Sequence, residues 1–102
     1  MENNVLLEKS LAFAARIVKV YRYLSEQQHE TVLSQQLLRS GTSIGANANE
    51  AVYAVSKADF ISKLHISLKE TAETEYWLRL LTLSQLPKAN HCLLTALNSS
   101  AF

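Results

Sequence analysis

Only two glycines, one proline and one cysteine occur among the 102 residues. So few breakers allow few turns, and long helices are what such a chain can build. The single cysteine, Cys92, excludes an internal disulfide and any metal site made of several thiolates. A small buried apolar residue in a reducing compartment is its plain role. Charge of either sign is not in surplus: ten Lys and Arg against nine Asp and Glu give a formal net charge of +1. No global field therefore draws the protein onto nucleic acid or an acidic lipid surface, and such binding needs a local patch. No segment reaches the roughly 18 uninterrupted apolar residues of a membrane span. The opening MENNVLLEKS places acidic and polar residues before its apolar run, the wrong order for a secretory signal, so a cytoplasmic location is expected.

What is present is a globular composition, 48% apolar and 19% charged, in a length that suits one domain over residues 1–102. Asn3 and Asn4 are candidate caps for a first helix from about Val5 to Ser25. Leu7, Leu11, Ala14, Val18 and Tyr21 recur there at spacings of four and three, and Leu6, Phe13, Ile17, Val20 and Leu24 widen the stripe. SEQQHE is the first polar break and the expected first turn. From about Glu30 a second stripe runs Leu33, Leu37, Ser40, Ile44, Asn47, Ala51 and Ala54. A third helix is expected from near Ser56, capped by SKAD, and meets no breaker before Pro87. At 1.5 Å per residue its length is about 42 Å, the longest of the set. Pro87 suits the first turn of a short final helix carrying Ala89, Cys92, Leu93, Leu94, Ala96 and Leu97. The economical architecture is all-α, an antiparallel up-and-down four-helix bundle.

RSGTSIGANANEA, residues 39–51, holds both glycines and admits three readings. A phosphate loop lacks GK[ST], the GxGxxG spacing and a preceding strand. A turn between two helices conflicts with the hydrophobic register, which continues through Ser40, Ile44 and Asn47. A close helix crossing fits: Ser40, Gly41, Gly45 and Ala48 share the inner side, and their lack of bulk admits a neighbour. Each glycine costs up to about 1 kcal/mol relative to alanine within a helix, so a packing gain is needed to offset it. Tyr53, Tyr76 and Trp77 are the large side chains offered as that neighbour.

QQLLRSGTSIGANANEA, followed by DFISKLHISLKETAETEYWLRLL, closely resembles the four-helix bundle proteins encoded within intervening sequences of bacterial 23S ribosomal RNA genes, also called the S23 ribosomal protein family. It is also similar to the accessory protein of diversity-generating retroelements, which works with a reverse transcriptase. The likeness runs from about Leu11 to Leu97. Arg39, Ser40, Ser43, Ile44, Asn47, Glu50 and Ala51 match one motif; Phe60, Lys63, Leu64, Lys69, Glu70, Glu73, Tyr76, Trp77 and Leu78 match the other. The resemblance implies a homopentameric ring, with nucleic-acid binding proposed by analogy to the retroelement protein. Members often continue into a polar or basic tail, whereas this chain reads NSSAF, which weakens a tail-based RNA contact.

Arg39, Asn47, Glu50, Lys69, Glu70 and Glu73 form the candidate polar network between the second and third helices, setting register or a subunit contact. Read instead as metal ligands or an acid–base pair, Glu50, Glu70 and Glu73 lack the Glu-x-x-His motifs of bundle metal sites. His29, His65 and His91 are scattered, and no Ser, His and Asp grouping suggests a nucleophile, so neither an enzyme nor a cofactor is expected. Arg16, Lys19 and Arg22, spaced by three, with Lys9 two turns earlier, make the best basic stripe. It is either a solvated helix face or a set of phosphate anchors, which a five-membered ring would multiply. Tyr21 and Tyr23 beside it are positioned either to stack on bases or to pack in the core. The expected partners are further copies of the chain, then RNA or single-stranded nucleic acid, with a protein docked on the ring as the alternative.

Overall fold

The computed structural model describes residues 2–84, with side chains described from Val5 onward. Three α-helices and no strand are found among them: α1 Glu2–Arg22, α2 Val32–Val52 and α3 Lys57–Ser84. The expected final helix from Pro87 lies outside the described residues, as do His91, Cys92 and Phe102.

Helix α1 begins ahead of the expected start, so Asn3 and Asn4 lie inside it and are not its caps. It also does not stop at SEQQHE. Tyr23–Gln27 continue the path as one wider π-helical turn, in which Ser25 Oγ donates to the Tyr21 carbonyl at 2.9 Å. The stop is a left-handed closure one residue wider than a Schellman motif: the Glu30 amide donates to the Leu24 carbonyl, six residues back, at 2.8 Å, with His29 at φ 57° in the position usually given to glycine. Glu30 then opens α2, its carboxylate accepting from the amides of Leu33 at 3.2 Å and Ser34 at 2.8 Å. The start of α3 is the SKAD cap expected from the sequence. The Asp59 amide donates to Ser56 Oγ at 3.0 Å and the Val55 amide to Asp59 Oδ2 at 3.2 Å, a capping-box-like pair in which the carboxylate takes the amide just before the cap residue. With 28 residues α3 is the longest of the three.

Helix α2 is central. Along it Gly41 faces Ile17 and Gly45 faces Ser10, so α1 runs antiparallel to it. On its other flank Ser40 meets Thr74, Ile44 meets Ser67 and Glu50 meets Lys63, so α3 runs antiparallel too. The core collects where the three helices converge: Phe13, Ile17, Val20 and Leu24 of the first, Leu37 and Ile44 of the second, Leu78 and Leu81 of the third. Each such side chain contributes roughly 1.5–3 kcal/mol on burial. Ser10, Ser34, Ser40, Ser67 and Thr74 are buried among them. The apolar stripe of α1 is wider than α2 can cover, and its far edge, Leu11, is left exposed.

Candidate functional site

Three features of the surface bear on function: the α1–α2 crossing, the α2–α3 polar seam and the basic face of α1. Both glycines are interior to α2. A Cβ on Gly41 would stand 2.8 Å from Ile17 Cγ2 and 2.9 Å from its Cγ1; one on Gly45 would stand 3.2 Å from Ser10 Oγ. The neighbour that needs the space is therefore α1, not the aromatics. Tyr53 and Tyr76 are exposed, and Trp77 packs at the core edge beside α3's own carboxylates. Ala48 is buried in the same crossing region, whereas Ser40 turns to α3.

The seam gathers some of the expected network and omits the rest. The Arg39 guanidinium bridges two carboxylates, Nη1 lying 3.3 Å from both oxygens of Glu70 and Nη2 bonding to Glu73 Oε2. Trp77 Nε1 donates to the same Glu73 oxygen at 2.9 Å. These donors hold the Glu73 carboxyl below its ordinary value, the indole bond first and Arg39 second, while the Glu73 bond is the largest cause holding the guanidinium pKa up. One turn from the α2 C-terminus, Lys63 Nζ reaches Glu50 Oε1 at 2.9 Å, and that bond raises the ammonium pKa. Asn47 does not join the network: its Nδ2 donates to the Ser43 carbonyl of its own helix at 2.8 Å and is half-buried beside the core stripe, not on it. Lys69 also stays out, being exposed and about 100° around α3 from Glu70. Sequence reasoning missed Lys63 as the partner of Glu50 and Trp77 as a donor, although Trp77 stands four after Glu73, on one helix face.

A carboxylate held ionised by a guanidinium and an indole has no proton to give at neutral pH, so this arrangement is a clasp between helices. The sign of its pH dependence follows. Because the folded value of Glu73 is depressed, its contribution is complete above the unfolded value and is lost as pH falls through the folded one. Glu73→Gln should therefore flatten the acid limb of stability against pH, measured by urea melts across the carboxylate range, and leave the neutral-to-alkaline limb parallel to the parent. An unchanged acid limb would show that the clasp contributes nothing to that linkage.

Lys9, Arg16, Lys19 and Arg22 are all exposed on α1 and span roughly 20 Å along it. Lys9 and Arg16, seven apart, lie nearly in line, while Lys19 and Arg22 fan toward the side away from α2; Glu8 shares that outer side. Lys19 and Arg22 also occupy the last α-turn, where a cation favours the helix dipole. Tyr23 is half-buried against the core with its hydroxyl accepting from Gln28 Nε2 at 3.2 Å, so it is a packing residue. Shallow clefts flank these features, two of them among the described residues bearing on the helix seams. One of 270 Å³ between α1 and α2 is lined by Leu7, Leu11, Ala14, Gly45 and Ala46 together with Ser10, Thr42 and Asn49. The Ser10 and Thr42 hydroxyls are engaged by carbonyls of their own helices, Leu7 at 3.2 Å and Leu38 at 2.7 Å. The other, of 230 Å³, lies between α1 and α3 over Ile44. Neither converges several polar groups on one point as a small-molecule site does. Among the described residues no three His, Cys, Asp or Glu side chains stand together as a metal set, and no helix is long and apolar enough to cross a membrane.

No curated protein matches the chain. A crystal structure of a protein of unknown function from the S23 ribosomal protein family of Bacteroides thetaiotaomicron is similar to it over 98% of this chain and 92% of that one, with 48% identity and a TM-score of 0.84. The description of the 23S rRNA-intervening sequence protein family matches residues 2–94, and the chain belongs to that family.

Proposed function

We propose that this protein is a non-enzymatic, self-associating helical scaffold that holds RNA or other nucleic acid by its phosphates along the outer face of α1. The observation that carries the reading is the row Lys9, Arg16, Lys19 and Arg22, exposed together on one helix of a chain whose charges summed as a whole nearly cancel, so that these four stand out as a local excess. The family's description, tied to an insertion in 23S rRNA, agrees with an RNA partner. A fourth helix completing the bundle, assembly into a pentameric ring and a cytoplasmic location belong to the same proposal. A ring raises affinity because each copy adds its own phosphate contacts.

Retention of ribosomal RNA by the pure protein, measured over a salt series, tests it. Replacing Arg16, Lys19 and Arg22 together by Gln should weaken binding at least about tenfold and reduce the slope of log affinity against log salt by about three, one for each lost phosphate contact. Unchanged affinity in the triple variant rejects the α1 face. A second reading, docking of a protein such as a reverse transcriptase, is favoured by the α2–α3 turn, where Val52, Tyr53 and Val55 are all exposed. It requires partner capture from extract that survives nuclease treatment.

A further inference from the structure

The outer side of α1 is a low ridge with cations on both flanks. Ser10, Phe13, Ile17 and Val20 are buried on its inner side, which leaves about half of the circumference facing outward. At about 3.6 residues per turn, Arg16 and Arg22 stand about 120° apart round the helix, Lys19 is midway between them, and Lys9 is about 20° from Arg16. Ala12 and Ala15, both exposed, occupy the surface between the flanks. From Lys9 to Arg22 there is no acidic residue; Glu8 and Glu26 stand beyond the two ends.

Cations set along one line follow one strand, whereas cations parted by a ridge reach two. Single-strand sites add aromatic side chains on which bases stack, within a groove that tracks the backbone. Helix α1 offers neither. Tyr23 is packed against the core, and Tyr21 is half-buried about 160° round the helix from Lys19. The exposed aromatics among the described residues, Tyr53 and Tyr76, lie elsewhere: Tyr53 closes α2 three residues after Glu50, and Tyr76 on α3 follows Glu75 directly, so phosphate is repelled at both. Reading bases in a deep groove needs side-chain donors and acceptors at the front of the helix, and here the front is Ala12, Ala15 and Lys19. What is left is contact with two backbones across a shallow surface. The wide, shallow minor groove of an A-form RNA duplex is such a surface, while its major groove is too narrow for side chains to read.

We propose that the outer face of α1 takes double-helical RNA, lying across the minor groove with Lys9 and Arg16 on the phosphates of one strand, Arg22 on those of the other and Lys19 between them. This assignment rests on the nucleic-acid reading of the α1 face and adds the form of RNA that the face accepts. The alanines let the ridge settle close enough for both flanks to reach at once. No side chain of the ridge reads a base, so stems of any sequence are bound alike.

The experiment is fluorescence anisotropy of the full chain with two labelled RNAs at equal salt, a hairpin stem of about 16 base pairs and an oligouridine of the same nucleotide number. The stem should bind at least about tenfold more tightly, and reshuffling its base pairs should change nothing. Ala12→Leu with Ala15→Leu keeps every charge and, leucine being a good helix former, the helix itself, which circular dichroism checks. It should weaken the stem about fivefold by holding the ridge off the groove and leave the oligouridine unmoved. Equal affinity for the two RNAs, with binding lost when Arg16, Lys19 and Arg22 become Gln, keeps the α1 face and overturns the duplex assignment. A stem affinity untouched by the two leucines overturns it as well, because charge density alone then explains the preference. So does a DNA duplex of the same sequence bound as tightly as the stem, since its grooves differ. If neither RNA is bound, or the triple Gln variant binds both as the parent does, the nucleic-acid reading of α1 fails and this assignment with it.

Discussion

Gly41→Leu should destabilise the fold by about 3 kcal/mol or more, Gly41→Ala by about 1–2 kcal/mol, and Gly45→Ala by much less, in urea melts followed by circular dichroism. The ranking comes from what each new Cβ would meet. At Gly41 it meets both γ-carbons of Ile17 inside 3.0 Å and the Ile17 Cβ at 3.3 Å. Ile17 is fully buried, and a β-branched side chain on a helix has one favoured rotamer, so it cannot swing aside. The helices must part instead, and every core contact between α1 and α2 loosens with them. Against this stands the gain of replacing glycine in a helix interior, about 1 kcal/mol. At Gly45 the nearest atom is a serine hydroxyl at 3.2 Å, with the Ser10 backbone no closer than 3.4 Å, so a small shift suffices and the helix gain nearly offsets it. Ile17→Ala alone should be costly through the cavity it leaves, roughly 2–4 kcal/mol. Combined with Gly41→Ala it should cost less than the sum, because the second change relieves the clash of the first. Equal costs at the two glycines would mean that α1 crosses α2 at a different height.

The small-residue side of α2 was legible in the sequence because a spacing of four keeps Gly41 and Gly45 on one helix side whatever surrounds them. Their neighbour was not. Tyr53, Tyr76 and Trp77 were the large residues on offer, but which helix fills a groove depends on the crossing, and periodicity carries no information about that. Helix α1 shows the same limit: Leu11 sits within a stripe covering nearly half the circumference, and one neighbouring helix can bury only part of so wide a face. The SKAD cap was readable because Ser56 and Asp59 satisfy each other's neighbourhood locally. The end of α1 was not, since its left-handed closing position is held by His29, where glycine would have signalled it. On the candidate site, Arg39 with Glu70 and Glu73 could be anticipated as complementary charges, while Asn47 looked like a core register residue and instead bonds back to its own helix. The basic row on α1 is visible at both levels, because surface charge on a helix needs only its spacing to be placed.

The polar contacts buried between α2 and α3 should show an asymmetry that separates pairing from mere packing. Thr74 Oγ1 lies 3.0 Å from Ser40 Oγ and 2.7 Å from the Glu70 carbonyl, and both side chains are almost wholly enclosed. A threonine hydroxyl has one proton, so with the short contact to Glu70 as its donation, Ser40 becomes the donor to Thr74. The only other acceptor for Ser40 shown is the Leu37 carbonyl, at a long 3.4 Å. Thr74→Val preserves the shape and removes the acceptor, leaving the Ser40 hydroxyl poorly satisfied in the core, which should cost about 1–3 kcal/mol. Ser40→Ala removes the donor and leaves Thr74 bonded to Glu70, so it should cost less, about 1 kcal/mol. The double variant, with nothing left to satisfy, should be more stable than Thr74→Val alone, a coupling of at least about 0.5 kcal/mol in a double-mutant cycle at neutral pH. Additive losses would mean that the two hydroxyls do not share a proton and that α2 and α3 are held at this level by packing and by the Ser67 bond to the Ile44 carbonyl.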